Sequence, residues 1–269
     1  MRIRWNKPTE SGLGDRLMDM RLVVTYARLN SAQLLLVWPK FEAKSIDAEH
    51  RRTDILVGNV LKYLTFPKEV AFDSSPADEI FPNYLGGGVD NHDFWHAYLQ
   101  GSCSFETFIT TLDQVTSEFG FCEAVNSFTS SLPATFVSFH VRRSDKVRNE
   151  GWPTDNHMVK AAELPELDAL TIRAIDRHLS EGCQHMFFCG DEDAKTQLFI
   201  EHASSKGANI IRLPEMQKWE TTFYDMAVMT KSSANVVSNR RSSFCLFPSL
   251  VGRRPCYTVY DKFYEKSVG

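Results

Sequence analysis

TFVSFHVRRSDKVRNEG, Thr135 to Gly151, is the stretch that decides how this chain is read. Phe136, Val137 and Phe139 give its first part the short apolar run of a strand buried inside a parallel sheet. The run ends in His140, Arg142, Arg143, Asp145 and Lys146, with Glu150 four residues beyond the lysine. A solvated loop can carry such charges, paired among themselves. In an open α/β sheet, however, ligands bind at the strand ends, and an anionic ligand would need these cations there. If strand geometry persists, Arg142 and Arg143 point to opposite sides. One then meets the ligand while the other pairs with Asp145 or reaches the substrate.

Working outward, strands and helices alternate along the whole chain. After residue 133 the pattern predicts a helix over 164–181, a strand in HMFFCGD (185–191) and a helix over 192–206. NIIRLP (209–214) follows as a strand, 220–231 as a helix, ANVVSN (234–239) as a strand, SSFCLFPSLVG (242–252) as the start of a helix and PCYTVY (255–260) as a last strand. Before residue 133, Arg2–Trp5 is a short strand. Leu17, Met20, Val24 and Ala27 have helical spacing, and QLLLVWP (33–39) is a buried strand stopped by proline. A helix is expected over 53–66 and one or two helices over 104–131. Such alternation calls for parallel sheets. The break at FTSSLPA (128–134) divides the chain into two Rossmann-like domains, 1–131 and 132–269, their sheets expected to face each other across a cleft.

Composition excludes several classes. The 269 residues are 43% hydrophobic and 24% charged, ordinary for a globular protein, and the net charge of −4 lacks the basic excess of a nucleic-acid binder. No apolar run has the length of a signal peptide or a membrane span. Six cysteines without a CxxC pair read as buried free thiols, so a soluble, cytoplasmic protein is expected. There is no Walker lysine, no HExxH and no Gly-x-Ser-x-Gly elbow. His92 and His96, spaced i, i+4 with Asp93 between them, lack a convincing third metal ligand and read as a helix face, and no metal is expected. Nothing in the sequence fixes an oligomeric state.

Two further segments carry chemistry. SGLGDRL (11–17) places Gly12 and Gly14 between a strand and a helix, where backbone can approach an anion closely. The plain alternative is a tight turn opening a helix. YDMAVMTKSSANVVSNRRSSF (224–244) holds Asp225, which either caps a helix start or meets a ligand. It then delivers Ser242 and Ser243 to the start of the next helix, where hydroxyls and free N–H groups suit a diphosphate and where Ser242 alternatively serves as a simple N-cap. Asp191 ends a strand in the same half.

Together these segments resemble the fucosyltransferase superfamily of α1,6-fucosyltransferases, nodulation-factor fucosyltransferases and, more distantly, α1,2- and protein O-fucosyltransferases. FHVRRSDKVRNEG looks like the family's donor-binding HVRRTDKV segment. SGLGDRL is similar to its N-terminal glycine turn, where asparagine is more usual than Asp15, and NRRSSFC looks like its SSQVC stretch, with Phe244 a departure. The resemblance implies a GT-B fold and inverting, metal-independent transfer of fucose from GDP-fucose to a glycan hydroxyl, with no cofactor. Arg142 would hold the β-phosphate, with Arg143 beside it. His140 and Asp225 would line the guanine, Ser242 and Ser243 would bind phosphate, and Gly12, Gly14 and Asp191 would complete the donor site. Glu150 stands at the position of the family's catalytic glutamate with Lys146 beside it, and Asp15 is a rival base. The N-terminal domain would be the acceptor side. The departures at Asn239–Phe244 leave room for another donor such as a UDP-pentose, or for a non-catalytic nucleotide- or sugar-binding module. Without the family's membrane anchor and stem, the chain is expected to be a soluble enzyme of microbial or viral origin.

Overall fold

The computed structural model describes residues 1–6, 12–38, 53, 55–73, 76–81, 103–143, 147–148, 159–239, 242–260 and 263–264. Among these, residues up to Cys122 form one compact unit and those from Glu123 a second.

The first unit opens with β1 (Arg2–Asn6), α1 (Leu13–Leu29) and β2 (Gln33–Val37), the β-α-β that the apolar runs predict. It continues through α2 (Val57–Tyr63), β3 (Leu64–Thr65), β4 (Val70–Ala71), β5 (Glu79–Phe81), α3 (Phe105–Ser117) and β6 (Gly120–Phe121). A four-stranded parallel sheet runs in the order β4-β2-β1-β5. The helix expected over 53–66 ends at Tyr63, because Leu64 and Thr65 pair antiparallel with Phe121 and Gly120 instead. At the start of α3 the Ser104 hydroxyl accepts the Thr107 N–H at 3.1 Å, the usual way to satisfy a helix-start donor. Leu17, Met20, Val24 and Ala27 are buried as their spacing predicts, but so are Arg16, Asp19 and Arg21. α1 is therefore packed nearly all round. The Arg16 guanidinium lies 5.0 Å from the centre of the Trp38 ring, a cation–π contact that shelters the charge.

The second unit begins with α4 (Glu123–Ser130), which runs into the sequence break at 128–134 and packs on a later helix of this unit. Then come β7 (Val137–Val141), β8 (Val147–Arg148), β9 (Val159–Lys160), α5 (Leu164–Ser180), β10 (His185–Gly190), α6 (Asp193–Ser205) and β11 (Asn209–Ile211). α7 (Lys218–Lys231), on which α4 packs, β12 (Ala234–Val237), α8 (Ser243–Val251), β13 (Cys256–Thr258) and β14 (Phe263–Tyr264) complete it. The main sheet has the order β11-β10-β7-β12-β13-β14 and is parallel except for β14. Counted within the unit, its five parallel strands run 3-2-1-4-5, as in a Rossmann half.

All five residues of β7 are buried, as befits the central strand. Val137, Phe139 and Val141 face Leu167 and Ile175 of α5 and Phe199 and Ala203 of α6, and Phe139 stacks on Phe188 at 5.1 Å. His140 points to the opposite face and stands in register with Cys189 of β10. The chain leaves β7 toward β10 and β11, then returns to the other side as β12. The topological switch point, where such sheets open a crevice, thus lies between the ends of β7 and β12.

Candidate functional site

Arg142 and Arg143 follow the end of β7 and point to opposite faces. Arg142 donates from Nη1 to the Ser242 hydroxyl at 3.1 Å. Ser242 is the N-cap residue of α8, but its hydroxyl makes no cap bond to the helix backbone. Ser242 thus holds the N-cap position while its hydroxyl is turned to Arg142. A guanidinium, a hydroxyl and the start of a helix meet at the switch point, with Ser243 buried in the first helical turn. Each of these groups favours an anion, and together they suit a phosphate.

Arg143 is only 2% exposed. Its Nη2 donates to Asp168 Oδ1 of α5 at 3.0 Å, and its Nη1 donates to Ser238 Oγ at 3.0 Å and to the Ser238 carbonyl. Lys195 of α6 holds the other Asp168 oxygen at 2.5 Å. The backbone between the two arginines is fixed as well. Asp191 Oδ1 accepts the Arg143 N–H at 2.8 Å, and Asn239 Nδ2 donates to the Arg142 carbonyl at 2.9 Å. Gly190 permits this approach. A Cβ there would run into the Val141 carbonyl oxygen and come within 2.8 Å of Thr196 Oγ1.

On the other face of β7 the His140 ring packs against Phe244 of α8, with centroids 5.1 Å apart. Asp225 lies in the middle of α7, not at a helix start, because a capping box of Gln217 and Glu220 begins that helix. The capping reading of Asp225 is thereby overturned. Asp225 keeps some exposed surface, yet the surrounding protein desolvates its carboxyl and pushes its pKa well above the usual range. Burial also pushes the Cys189 thiol up, and the nearby carboxylates of Asp225 and Asp191 push it further. His140, Cys189 and Asp225 thus share one neighbourhood beside the switch point.

In the first unit, Gly12 precedes α1 and Gly14 and Asp15 occupy its first turn, Gly14 buried and Asp15 exposed. Gly12 has φ −68° and ψ 169°, which any residue adopts, and a Cβ on it would meet nothing within 4 Å. The fold alone does not require glycine there. Lys146 and Glu150 lie outside the described residues, as do Asp145, Arg240, Arg241 and the segment 82–102. Among the described residues no group of three or more His, Cys, Asp or Glu is placed to hold a metal ion, and no helix is long and apolar enough to cross a membrane. All six cysteines are free thiols, three buried and three partly exposed. Sequence reading missed Asp168 and Ser238, whose roles come from tertiary pairing with Arg143, and Lys195, which pairs with Asp168. The one local hint was the glycine before Asp191.

No family model matches the sequence, and no curated protein matches it. Solved structures do. A crystal structure of POFUT1 in complex with GDP is 15% identical, matches 96% of this chain and 98% of that chain, and gives a TM-score of 0.53. POFUT1 in complex with GDP-fucose is 14% identical over 95% and 97% of the two chains, with a TM-score of 0.52. Fucosyltransferase NodZ from Bradyrhizobium is 13% identical over 95% and 94%, with a TM-score of 0.50. At these identities the likeness is one of fold: an α/β protein with two main parallel sheets, matching GT-B fucosyltransferase structures. One of the matched structures, NodZ, is a fucosyltransferase, the kind of protein whose motifs the sequence resembles.

Proposed function

We propose that this chain is an inverting glycosyltransferase that moves fucose from GDP-fucose to a hydroxyl of a glycan acceptor, without a metal ion. The observation that carries the reading is the pairing of Arg142 with Ser242 at the switch point, beside the start of α8. A diphosphate leaving group gains charge as its bond to the sugar breaks. A preorganised guanidinium, hydroxyl and helix start stabilise that charge more in the transition state than in the ground state. Asp225, on the His140 face of the sheet, suits the guanine, whose ring N–H and amino group would satisfy a carboxylate that burial leaves poorly solvated. The POFUT1 structures include complexes with GDP and with GDP-fucose, which supports that donor.

In the reaction the acceptor oxygen attacks the sugar C1 from the face opposite the diphosphate. The new C–O bond forms as the bond to the β-phosphate oxygen breaks, and a base takes the acceptor proton. Glu150 is the proposed base, with Lys146, four residues before it in the sequence, as its proposed helper, and Asp15 is the second candidate. The N-terminal unit, by this reading, receives the acceptor.

A thermal-shift panel of GDP, GDP-fucose, UDP and a UDP-pentose tests the donor. A ligand bound only by the native state adds about 2.7 kcal/mol of stability at a hundred times its Kd. GDP and GDP-fucose should raise the melting temperature while the uridine nucleotides leave it unchanged, and fucosyl transfer should persist in chelator. Stabilisation by UDP and not GDP would replace the donor with a uridine one, as the departures at Asn239–Phe244 would then explain. No response to any nucleotide would overturn the reading.

A further inference from the structure

The peptide joining Arg142 to Arg143 is held at both ends, each time by a residue just past a neighbouring strand. Asp191, after β10, accepts its N–H at 2.8 Å, and Asn239, after β12, donates to its carbonyl at 2.9 Å. Asn239 is fully buried, and Gly190 is the residue that lets the end of β10 come close enough for Asp191 to reach. The guanidinium of Arg143 adds a third hold on the same turn through Ser238 and Asp168. All three act on backbone or on the buried arginine. The side chain of Arg142 leaves this fixed backbone toward Ser242.

We propose that Asp191 and Asn239 are positioning residues for diphosphate recognition. By clamping this one peptide from both flanking strands, they set the direction in which the Arg142 guanidinium leaves β7. The extra affinity that a second phosphate gives a nucleotide then depends on them. This inference rests on the nucleotide-sugar reading above, and it assigns Asp191 to the backbone of β7 rather than to direct contact with the donor. A long, flexible guanidinium loses rotamer freedom when it grips a phosphate, and a fixed backbone means that less is lost on binding.

The test is calorimetric titration of GDP and GMP into the wild-type chain and into Asn239→Ala, Asp191→Ala and Asp191→Asn. Wild type should prefer GDP over GMP. In both alanine variants that preference should fall about tenfold, the worth of one hydrogen bond to a charged group, with GMP affinity held within about twofold. Asp191→Asn keeps an oxygen able to accept the Arg143 N–H, so it should keep the wild-type preference. Asp191 is only half-buried, so its variants serve if the buried Asn239→Ala does not fold. An unchanged preference in the alanine variants would overturn the clamp. So would equal weakening of GMP and GDP, or an Asp191→Asn variant as impaired as the alanine. A wild type with no preference for GDP over GMP would instead overturn the nucleotide-sugar reading, and the clamp with it.

Discussion

Replacing Asp168 by asparagine should destabilise the second unit more than removing the arginine that it pairs with. Asparagine takes away one charge and little volume. It leaves the Arg143 guanidinium 2% exposed, still charged, and facing the neutral Ser238 carbonyl and hydroxyl. Breaking a buried ion pair from one side costs about 3–5 kcal/mol. Asp168 is 17% exposed, which places this case at the lower end, about 3 kcal/mol. Arg143→Met has a different consequence. Asp168 keeps Lys195 at 2.5 Å, no buried charge is orphaned, and the main loss is the acceptors on Ser238, about 1–2 kcal/mol. The double variant lacks the stranded guanidinium and should cost no more than Arg143→Met alone. Urea unfolding of the four proteins, extrapolated to water, gives the cycle directly. An Arg143→Met variant that costs as much as Asp168→Asn, or a double variant clearly costlier than Arg143→Met alone, would refute the reasoning.

Other outcomes follow from single side chains. The folded-state pKa of Asp225 is raised by burial, so its proton contributes stability that is full below the ordinary carboxylate pKa and lost as pH rises through the raised value. Asp225→Asn should therefore melt higher than wild type at pH 8 but not at pH 4. GDP affinity of the wild type should rise across the same window, and a melting difference equal at both pH values would contradict this. For the base, Glu150→Gln should lower kcat by about 10²–10⁴-fold with donor affinity retained. If Asp15→Asn shows that pattern and Glu150→Gln does not, the role passes to Asp15. Gly190→Ala drives a Cβ into the Val141 carbonyl and should cost about 1–3 kcal/mol in urea unfolding, so a variant as stable as wild type would contradict the close approach.

The framework was legible wherever an apolar run was short and bounded. Residues 135–141, 185–191 and 234–239 read as strands, and the three adjacent strands β7, β10 and β12 lie within them. The opposite pointing of Arg142 and Arg143 was legible too, since it needs only the strand period. Less legible was anything set by register across the sheet. Asp191 and Asn239 end their strands in sequence, but only the alignment of β10 and β12 on β7 brings both to one peptide. Asp168 lies 25 residues from Arg143 and looked like one more charge on an amphipathic helix. The burial of Arg16, Asp19 and Arg21 in α1 was not legible, because charged residues on a helix ordinarily mark its solvent face. The end of α2 at Tyr63 was not legible either, because it is set by the pairing of Leu64 and Thr65 with β6, far along the chain.

The most direct test of the central claim is the effect of Arg142→Ala on transfer from GDP-fucose. If Arg142 meets the leaving diphosphate, its loss should remove about 3 kcal/mol of transition-state stabilisation, roughly a hundredfold in kcat/KM. GDP should bind more weakly, and the melting temperature should stay near that of wild type, since the buried structural arginine is Arg143. An Arg142→Ala chain that binds GDP and turns over at the wild-type rate would contradict the claim that this strand end is the donor site.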